Sequence, residues 1–215
     1  MSARRSRQRK KLPVRLPASY IPGVEILKKA LLFARELVAA AVAEGATVVD
    51  ATCGNGHDTV FLAELAGAAG RVYAFDIQKE AIVATRERLL QHGLLERVTL
   101  LQASHDDSTL WPPAPVSAVM FNLGYLPGGD HSLVTKAAST VAALQIAADR
   151  LKPGGVITLV VYTGHPGGLE EYSEVRRFLS CLPQTEFTVL EYRLINQVNN
   201  PPLLLAVQRL QAGRP

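Results

Sequence analysis

Three short stretches of the chain carry side chains and glycines at spacings that can do chemistry. The first is Val48-Val49-Asp50-Ala51-Thr52-Cys53-Gly54-Asn55-Gly56-His57-Asp58-Thr59, in which an acid ends an apolar run, two glycines bracket Asn55, and a helix-forming segment follows. Glycines allow a ligand to approach the backbone closely, and the start of a helix offers free N–H groups. A dinucleotide fingerprint places a third glycine at position 59, where Thr59 stands, and no Gly-Lys-Ser/Thr sequence follows. Neither a pyrophosphate site nor a phosphate-cradling P-loop is therefore indicated. The second stretch, Arg71–Asp76, ends in an acid 22 residues after Gly54. A carboxylate at that distance suits the two hydroxyls of a ribose. Read alone, Gly-Asn-Gly is as well explained by a tight strand-to-helix turn capped by Asp58. Together, Asp50, Gly54, Asn55, Gly56 and Asp76 describe a site for an adenosine without phosphates. S-adenosylmethionine is the common ligand of that description, and Asp50 and Asp58 suit its ammonium group.

The third stretch is Phe121-Asn122-Leu123-Gly124-Tyr125-Leu126-Pro127-Gly128-Gly129-Asp130. A turn after a buried strand needs Gly and Pro, but not Asn122 and Tyr125 around an apolar pair. An amine that attacks a sulfonium methyl must be neutral, with its lone pair aimed. The Asn122 side-chain carbonyl, with the backbone carbonyl of the next residue, can accept two N–H bonds and orient it. Tyr125 can stack on a planar base. The stretch is similar to the Asn-Pro-Pro-Tyr motif of amino methyltransferases, with Leu123-Gly124 in place of the prolines. Asn200-Pro201-Pro202 is closer by letters, but it lies between the last two predicted strands and precedes Leu203. Position after the fourth strand selects Asn122. Asp130 or His131 can receive the released proton, and water is an adequate alternative. After the third predicted strand, Ser104, His105 and Asp106 can supply hydrogen bonds to an adenine edge; a helix cap or solvated turn explains any one of them equally well. Cys53 reads as a small buried thiol without a histidine partner, and His57 as a loop residue near the pocket.

The composition around these residues excludes several classes. With 215 residues, 48% hydrophobic and 20% charged, the chain suits one folded enzyme domain. Cys53 and Cys181 fit neither a disulfide framework nor a zinc site, and the five histidines form no metal-ligand cluster. No metal and a reducing compartment, the cytoplasm, are expected. The net charge of +4 is concentrated at one end: residues 1–15 hold seven Arg and Lys and no acid, which leaves 16 basic against 19 acidic residues. Residues 1–22 are expected to be a basic, solvated tail and residues 23–211 a single domain. The tail is Arg-rich and acid-free, so organellar import is a minor alternative to a cytoplasmic location. Arg35 and Glu36 interrupt the most apolar helix candidate, so no membrane span is expected.

The elements that must position these residues alternate along the chain. Leu27, Leu31, Ala34, Val38 and Val42 recur at helical steps. Strands are predicted at 47–51, 71–76, 97–101, 116–122 and 155–162, with helices between most of them. A helix over 133–151 is ended by Lys152-Pro153-Gly154-Gly155. Two last strands, at 186–194 and 202–209, are joined by the polar loop Asn196–Pro201. The pattern predicts an α/β fold with a seven-stranded, mostly parallel sheet and a C-terminal antiparallel hairpin.

With these motifs in order, DATCGNGHDT, YAFDIQ, SHDD, FNLGYLPGGD, VVYTGHPGG and NQVNNPP, the chain resembles the MnmM (YtqB-type) tRNA methyltransferases from about residue 24 to 209. The resemblance implies a Rossmann-like class I methyltransferase fold and S-adenosylmethionine as cofactor. It implies methylation of the amine of 5-aminomethyl-2-thiouridine at the tRNA wobble position, giving 5-methylaminomethyl-2-thiouridine. Carried over by motif, Asn55, Asp58, Asp76, Gln78, Ser104 and His105 contact the cofactor, and Asn122, Gly124 and Tyr125 frame the acceptor. Tyr162, His165, Asn196, Gln197 and Asn199 line the RNA side, facing a tRNA anticodon stem-loop. A homodimer is also implied. Rival readings are an amine methyltransferase acting on rRNA or a small molecule, and a non-catalytic cofactor-binding RNA module.

Overall fold

Apolar runs separated by glycine-containing turns and alanine-rich helices dictate an alternating chain, and the computed structural model follows that pattern. It describes residues 26–113, 115–124, 126, 128 and 134–211. The elements are α1 (Ala30–Ala41), β1 (Thr47–Asp50), α2 (His57–Ala66), β2 (Arg71–Asp76), α3 (Lys79–His92), β3 (Val98–Gln102), β4 (Val116–Leu123), α4 (Ala137–Arg150), β5 (Leu151–Val161), α5 (Gly168–Ser180), β6 (Phe187–Tyr192) and β7 (Leu203–Arg209). The strand order is β3-β2-β1-β4-β5-β7-β6. Strands β1 to β5 pair in parallel, and β7 runs antiparallel to both β5 and β6. This is the sheet expected from the sequence. The winding direction changes between β1 and β4, so a crevice opens beyond their carboxyl ends. Asp50 ends one of those strands and Asn122 is the second-to-last residue of the other.

Both faces of the central strands are covered, which is why they read as unbroken apolar runs. Val48, Val72, Ala118 and Met120 pack with Val38 of α1, Val60 and Leu62 of α2 and Leu89 of α3. Val49, Phe75, Val119 and Phe121 face the other way, toward Leu144 and Ala147 of α4 and Val175 and Leu179 of α5. The connection from β3 to β4 carries no helix among its described residues. Trp111 covers that part of the sheet instead: it is buried, its ring centroid lies 5.7 Å from that of Phe75, and its Nε1–H donates to the carbonyl of His105 at 2.8 Å.

Three elements depart from the expected boundaries. The helix expected over 133–151 is confined to Ala137–Arg150, and Leu151 opens β5. Helix α1 begins at Ala30, and Leu27, expected on its apolar stripe, is exposed. The stripe that is buried is Ala30, Ala34 and Val38, spaced by four; its alanines let the helix lie close against Val160 and Leu204. The stretch Lys152-Pro153-Gly154-Gly155, expected to be a break, belongs to β5 as a bulge. Val116 pairs with Leu151 and Ala118 with Val156, so four residues of β5 face Ser117 alone. Gly154 has φ +80°, and a Cβ on Gly155 would stand 2.9 Å from the Ser117 carbonyl. Glycines are what allow that excursion.

Candidate active site

The site starts with the loop between β1 and α2. Asp50 is fully buried beneath it, with Oδ1 accepting the Thr52 N–H at 3.2 Å and Oδ2 accepting Thr59 Oγ1–H at 2.6 Å. Thr59 thus gives a physical account of the missing third glycine: its hydroxyl is the partner of the buried acid. Burial, with Asp58 nearby as the second cause, pushes the Asp50 carboxyl up to about 7. Asp50 was expected to serve a ligand's ammonium; its oxygens are instead engaged in shaping the loop. Cys53 is buried, and burial pushes its thiol far up, so it is an inert packing residue as anticipated.

Two neighbours brace the top of the loop. Asp76, at the end of β2, accepts the Gly54 N–H with Oδ2 and the Gln78 N–H with Oδ1, each at 3.0 Å. Its carboxyl is raised by burial, against the lowering effect of those two bonds. From α3, Thr85 Oγ1–H donates to the Gly54 carbonyl at 3.0 Å and Arg88 Nε–H to the Asn55 carbonyl at 2.7 Å. A Cβ on Gly56 would meet Thr85 Cα at 2.9 Å, and Gly56 has φ +81°. Loop and helix α3 therefore touch backbone to backbone.

Asn122 reaches the same loop from β4. Its backbone N–H donates to Thr52 Oγ1, and its side-chain Nδ2–H donates to Asp58 Oδ2, both at 2.7 Å. Asp58 Oδ1 accepts from Arg35 of α1, with Nε at 2.7 Å and Nη2 at 2.6 Å. A carboxylate only accepts, so the Asn122 amide must turn its NH2 toward Asp58 and its carbonyl Oδ1 away. The Leu123 carbonyl, expected to act beside it, already accepts the Tyr162 N–H at 3.1 Å, and the Gly124 carbonyl accepts the Thr135 N–H at 3.0 Å. Asn122 Oδ1 is left as the principal acceptor.

His105, after β3, is buried, and its ring packs edge-on against Phe121 at 5.8 Å. Nδ1–H donates to the Ala51 carbonyl at 3.0 Å, which sets the tautomer, and Nε2 has no hydrogen-bond partner among the described residues. Burial lowers the imidazole pKa, so Nε2 is a neutral, buried acceptor. An orphaned acceptor beside a glycine loop and a strand-end carboxylate fits an adenosine-bearing ligand in donor set and shape.

Comparison with known proteins decides the family. A sequence profile of the family described as "Putative rRNA methylase" matches residues 72–208, more than half of the chain. The chain belongs to that rRNA methylase family. A profile of the ubiE/COQ5 methyltransferase family matches residues 28–114. The chain is 42% identical over 192 residues to an Arabidopsis thaliana tRNA (mnm(5)s(2)U34)-methyltransferase, chloroplastic, covering 85% of this chain and 70% of the relative. It is similar in structure to a "putative rRNA-methylase" from Clostridium thermocellum, with TM-score 0.84 and 45% identity over 86% of this chain and all of that one. A "putative methyltransferase" from Streptococcus mutans, solved in complex with SAH, gives TM-score 0.79 and 35% identity, again over 86% of this chain and all of that one. The family agrees with the resemblance read from the motifs.

In this member of the family, the outer rim gathers several more of the expected residues. A Cβ on Gly124 would lie 3.5 Å from Tyr162 Cβ and 3.7 Å from His165 Nε2, so the acceptor motif and the Tyr162–His165 turn after β5 adjoin. Tyr162 is 41% exposed. The Asn196–Pro201 loop joins β6 to β7 at the edge where β5 ends, since Val161 pairs with Leu203. Asn196, Gln197 and Asn199 are exposed, and Asn199 and Asn200 have φ of 63° and 46°. Asparagine tolerates that left-handed backbone, which accounts for the Asn-rich turn. Among the described residues, no side-chain hydrogen bond or ion pair joins these three to Asn122; their shared edge brings them to the site. Tyr125, Asp130 and His131 lie outside the described residues. Ser104 is near the rim, two residues beyond β3. A cavity of about 590 Å³ opens beyond Thr135 between the starts of α4 and α5, lined by Lys136, Glu170, Glu171 and Glu174 among others. Its acidic wall is unsuited to a phosphate chain.

The residues missed in the sequence are those that act through others: Arg35, Thr52, Thr59, Thr85 and Arg88. Arg35 had one visible signal, a cation set directly beside the buried Ala34 in a helix whose one other charge is Glu36. Among the described residues no cluster of His, Cys, Asp and Glu is fit to hold a metal ion, and no helix is long and apolar enough to cross a membrane.

Proposed function

We propose that the protein transfers a methyl group from S-adenosylmethionine to the amine of 5-aminomethyl-2-thiouridine at the wobble position of tRNA, giving 5-methylaminomethyl-2-thiouridine. One observation carries the reading: Asp58 takes the NH2 of Asn122 at 2.7 Å, which turns the amide carbonyl outward as an acceptor. An amine acceptor has N–H groups to donate and must stay neutral. A neutral carbonyl holds those N–H groups without stabilising the ammonium form as a carboxylate does. When bound, S-adenosylmethionine supplies an electrophilic methyl on a sulfonium.

The chain's own residues then bind and aim. Ser104 and His105 Nε2 face the adenine, Asp76 accepts the ribose hydroxyls, and Asn55 and Gln78 hold the rest of the cofactor around Gly54 and Gly56. Asp58, expected among them, has its two oxygens taken by Arg35 and Asn122 and serves the acceptor amide instead. Gly124 keeps the slot beside Asn122 open, with Tyr125 closing it. Tyr162, His165, Asn196, Gln197 and Asn199 meet the anticodon stem-loop, whose splayed bases are read directly. The amine attacks the methyl in line and passes its proton to water, Asp130 or His131. Positioning supplies much of the acceleration. The Arabidopsis relative, a tRNA (mnm(5)s(2)U34)-methyltransferase, supports the tRNA substrate.

Residues 23–211 act as one methyltransferase domain in this reading. Exposed Val189 and Leu190 on edge strand β6, with Ile195 and Val198 in the following loop, support a homodimer. The unpaired thiols of Cys53 and Cys181 suit the cytoplasm, and the chloroplastic relative keeps organellar action as the alternative. Mass spectrometry of tRNA nucleosides from a strain lacking the protein tests the substrate. The reading expects 5-aminomethyl-2-thiouridine to accumulate at the expense of its methylated product; unchanged tRNA with a methyl missing from rRNA would sink it.

A further inference from the structure

We propose that Arg35 is a positioning residue for methyl transfer: its guanidinium fixes Asp58, and Asp58 fixes which end of the Asn122 amide faces the incoming amine. The proposal rests on the amine-methylating reading above, and it assigns a function to a residue that touches neither reactant. Arg35 sits on α1, 23 residues before Asp58 and on the far side of the β1 strand from it in sequence. Its Nε and Nη2 both donate to Asp58 Oδ1, at 2.7 Å and 2.6 Å. That engagement leaves Oδ2 for the Asn122 Nδ2–H at 2.7 Å.

The guanidinium is gripped, not draped over the surface. Its central carbon lies 5.3 Å from the Phe61 ring centroid, and Phe61 follows Asp58 by three residues on the same face of α2. Helix α1 itself is set by Ala34 and Val38, both wholly buried. The Asp58 side chain is 7% exposed and that of Arg35 30%, so the pair is shielded on the carboxylate side. Without Arg35, Asp58 Oδ1 loses two donors. The carboxylate is then free to rotate toward water or toward the first-turn N–H groups of α2, and the Asn122 amide loses its reference. An amide turned end for end presents NH2 to an amine, donor against donor. Lysine at this position keeps the charge but not the planar fork, so it restores the interaction only in part.

A double-mutant cycle separates positioning from plain support of the fold. Single-turnover methyl transfer to aminomethylated tRNA is measured for the wild type, Arg35→Met, Arg35→Lys, Asn122→Ala and the Arg35→Met/Asn122→Ala pair, with S-adenosylhomocysteine affinity measured for each. The expected result is an approximately tenfold or greater loss for Arg35→Met, partial recovery for Arg35→Lys, and cofactor-product affinity within about threefold of wild type. In the Asn122→Ala background, removing Arg35 changes the rate by less than about twofold. Additive losses, or a fall in S-adenosylhomocysteine affinity that matches the fall in rate, would overturn the proposal. A substrate-independent readout distinguishes this failure from failure of the proposed reaction. The Asn122 side-chain amide resonance, identified by its loss in Asn122→Ala, must move in Arg35→Met; if it stays in place, the coupling does not exist, whatever the enzyme methylates.

Discussion

Asn122 and Asp58 stand 64 residues apart in the chain and meet side chain to side chain, Nδ2 donating to Oδ2 at 2.7 Å. One comes from the end of β4 and the other from the first turn of α2. The contact therefore ties the acceptor motif to the glycine loop across the switch point of the sheet. It also answers how Asn-Leu-Gly works without the two prolines of the related motif. Stiffness in the backbone is replaced by hydrogen bonds on both ends of Asn122: the main chain to Thr52 and the side chain to Asp58.

Replacing Asn122 by alanine leaves the loop and its cofactor-binding residues in place. Methyl transfer is expected to fall by about 10²-fold, while S-adenosylhomocysteine binding changes by less than about threefold. Replacing it by aspartate puts a charge where the amine must be neutral, so the rising limb of rate against pH moves to higher pH. Steady-state rates across pH, with calorimetric binding at one pH, check both.

Gly56→Ala forces a Cβ to within 2.9 Å of Thr85 Cα at a residue with φ +81°. Helix α3 must shift away, and the loop it braces shifts with it. A loss of about 1–3 kcal/mol in stability is expected, accompanied by weaker S-adenosylhomocysteine binding. Thermal unfolding with and without the ligand measures the two effects.

Asp50 makes stability depend on pH in a particular direction. Its folded carboxyl titrates at about 7, against an ordinary value of 3.8, so the native state holds the proton more tightly than the unfolded chain does. That contribution is fully present below the ordinary value and is lost as pH rises through about 7. Asp50→Asn keeps an acceptor for the Thr52 N–H and offers a donor to Thr59 Oγ1. The variant is expected to lose less stability than the wild type between about pH 5 and about pH 8. Identical Tm changes for the two proteins over that range would contradict the assignment.

His105→Phe preserves the aromatic contact with Phe121 but removes Nε2, together with the donor to the Ala51 carbonyl. Adenosine-ligand affinity is expected to fall by about 3- to 10-fold, the scale of one neutral hydrogen bond. Unchanged affinity for S-adenosylhomocysteine would remove His105 from the adenine site.

The parts of the fold legible in the sequence were those governed by local patterning. The β1–Gly-Asn-Gly–α2 unit shows itself through an apolar run, an acid and two glycines. The β6–β7 hairpin shows itself through two apolar runs around an Asn-rich turn. The β5 bulge was hidden because Lys-Pro-Gly-Gly carries the same letters as a chain break, and only pairing with β4 makes it part of a strand. Trp111 standing in for a helix was hidden for the same reason, since its role depends on Phe75 and His105 meeting it in space. At the site, Gly54, Gly56, Asp76 and Asn122 were legible because each type has a role its neighbours cannot fill. Arg35 and Thr59 were not, because each acts on a carboxylate whose need for a partner appears only when it is buried.

Methylation of the amine of a tRNA wobble aminomethyl group is measured by transfer of labelled methyl from S-adenosylmethionine to purified tRNA. Two tRNA preparations are compared, with and without the 5-aminomethyl group on 2-thiouridine. Incorporation is expected into the aminomethylated tRNA alone, recovered as 5-methylaminomethyl-2-thiouridine and slowed by about 10²-fold in Asn122→Ala. Equal incorporation into both preparations, or none into either, would contradict it.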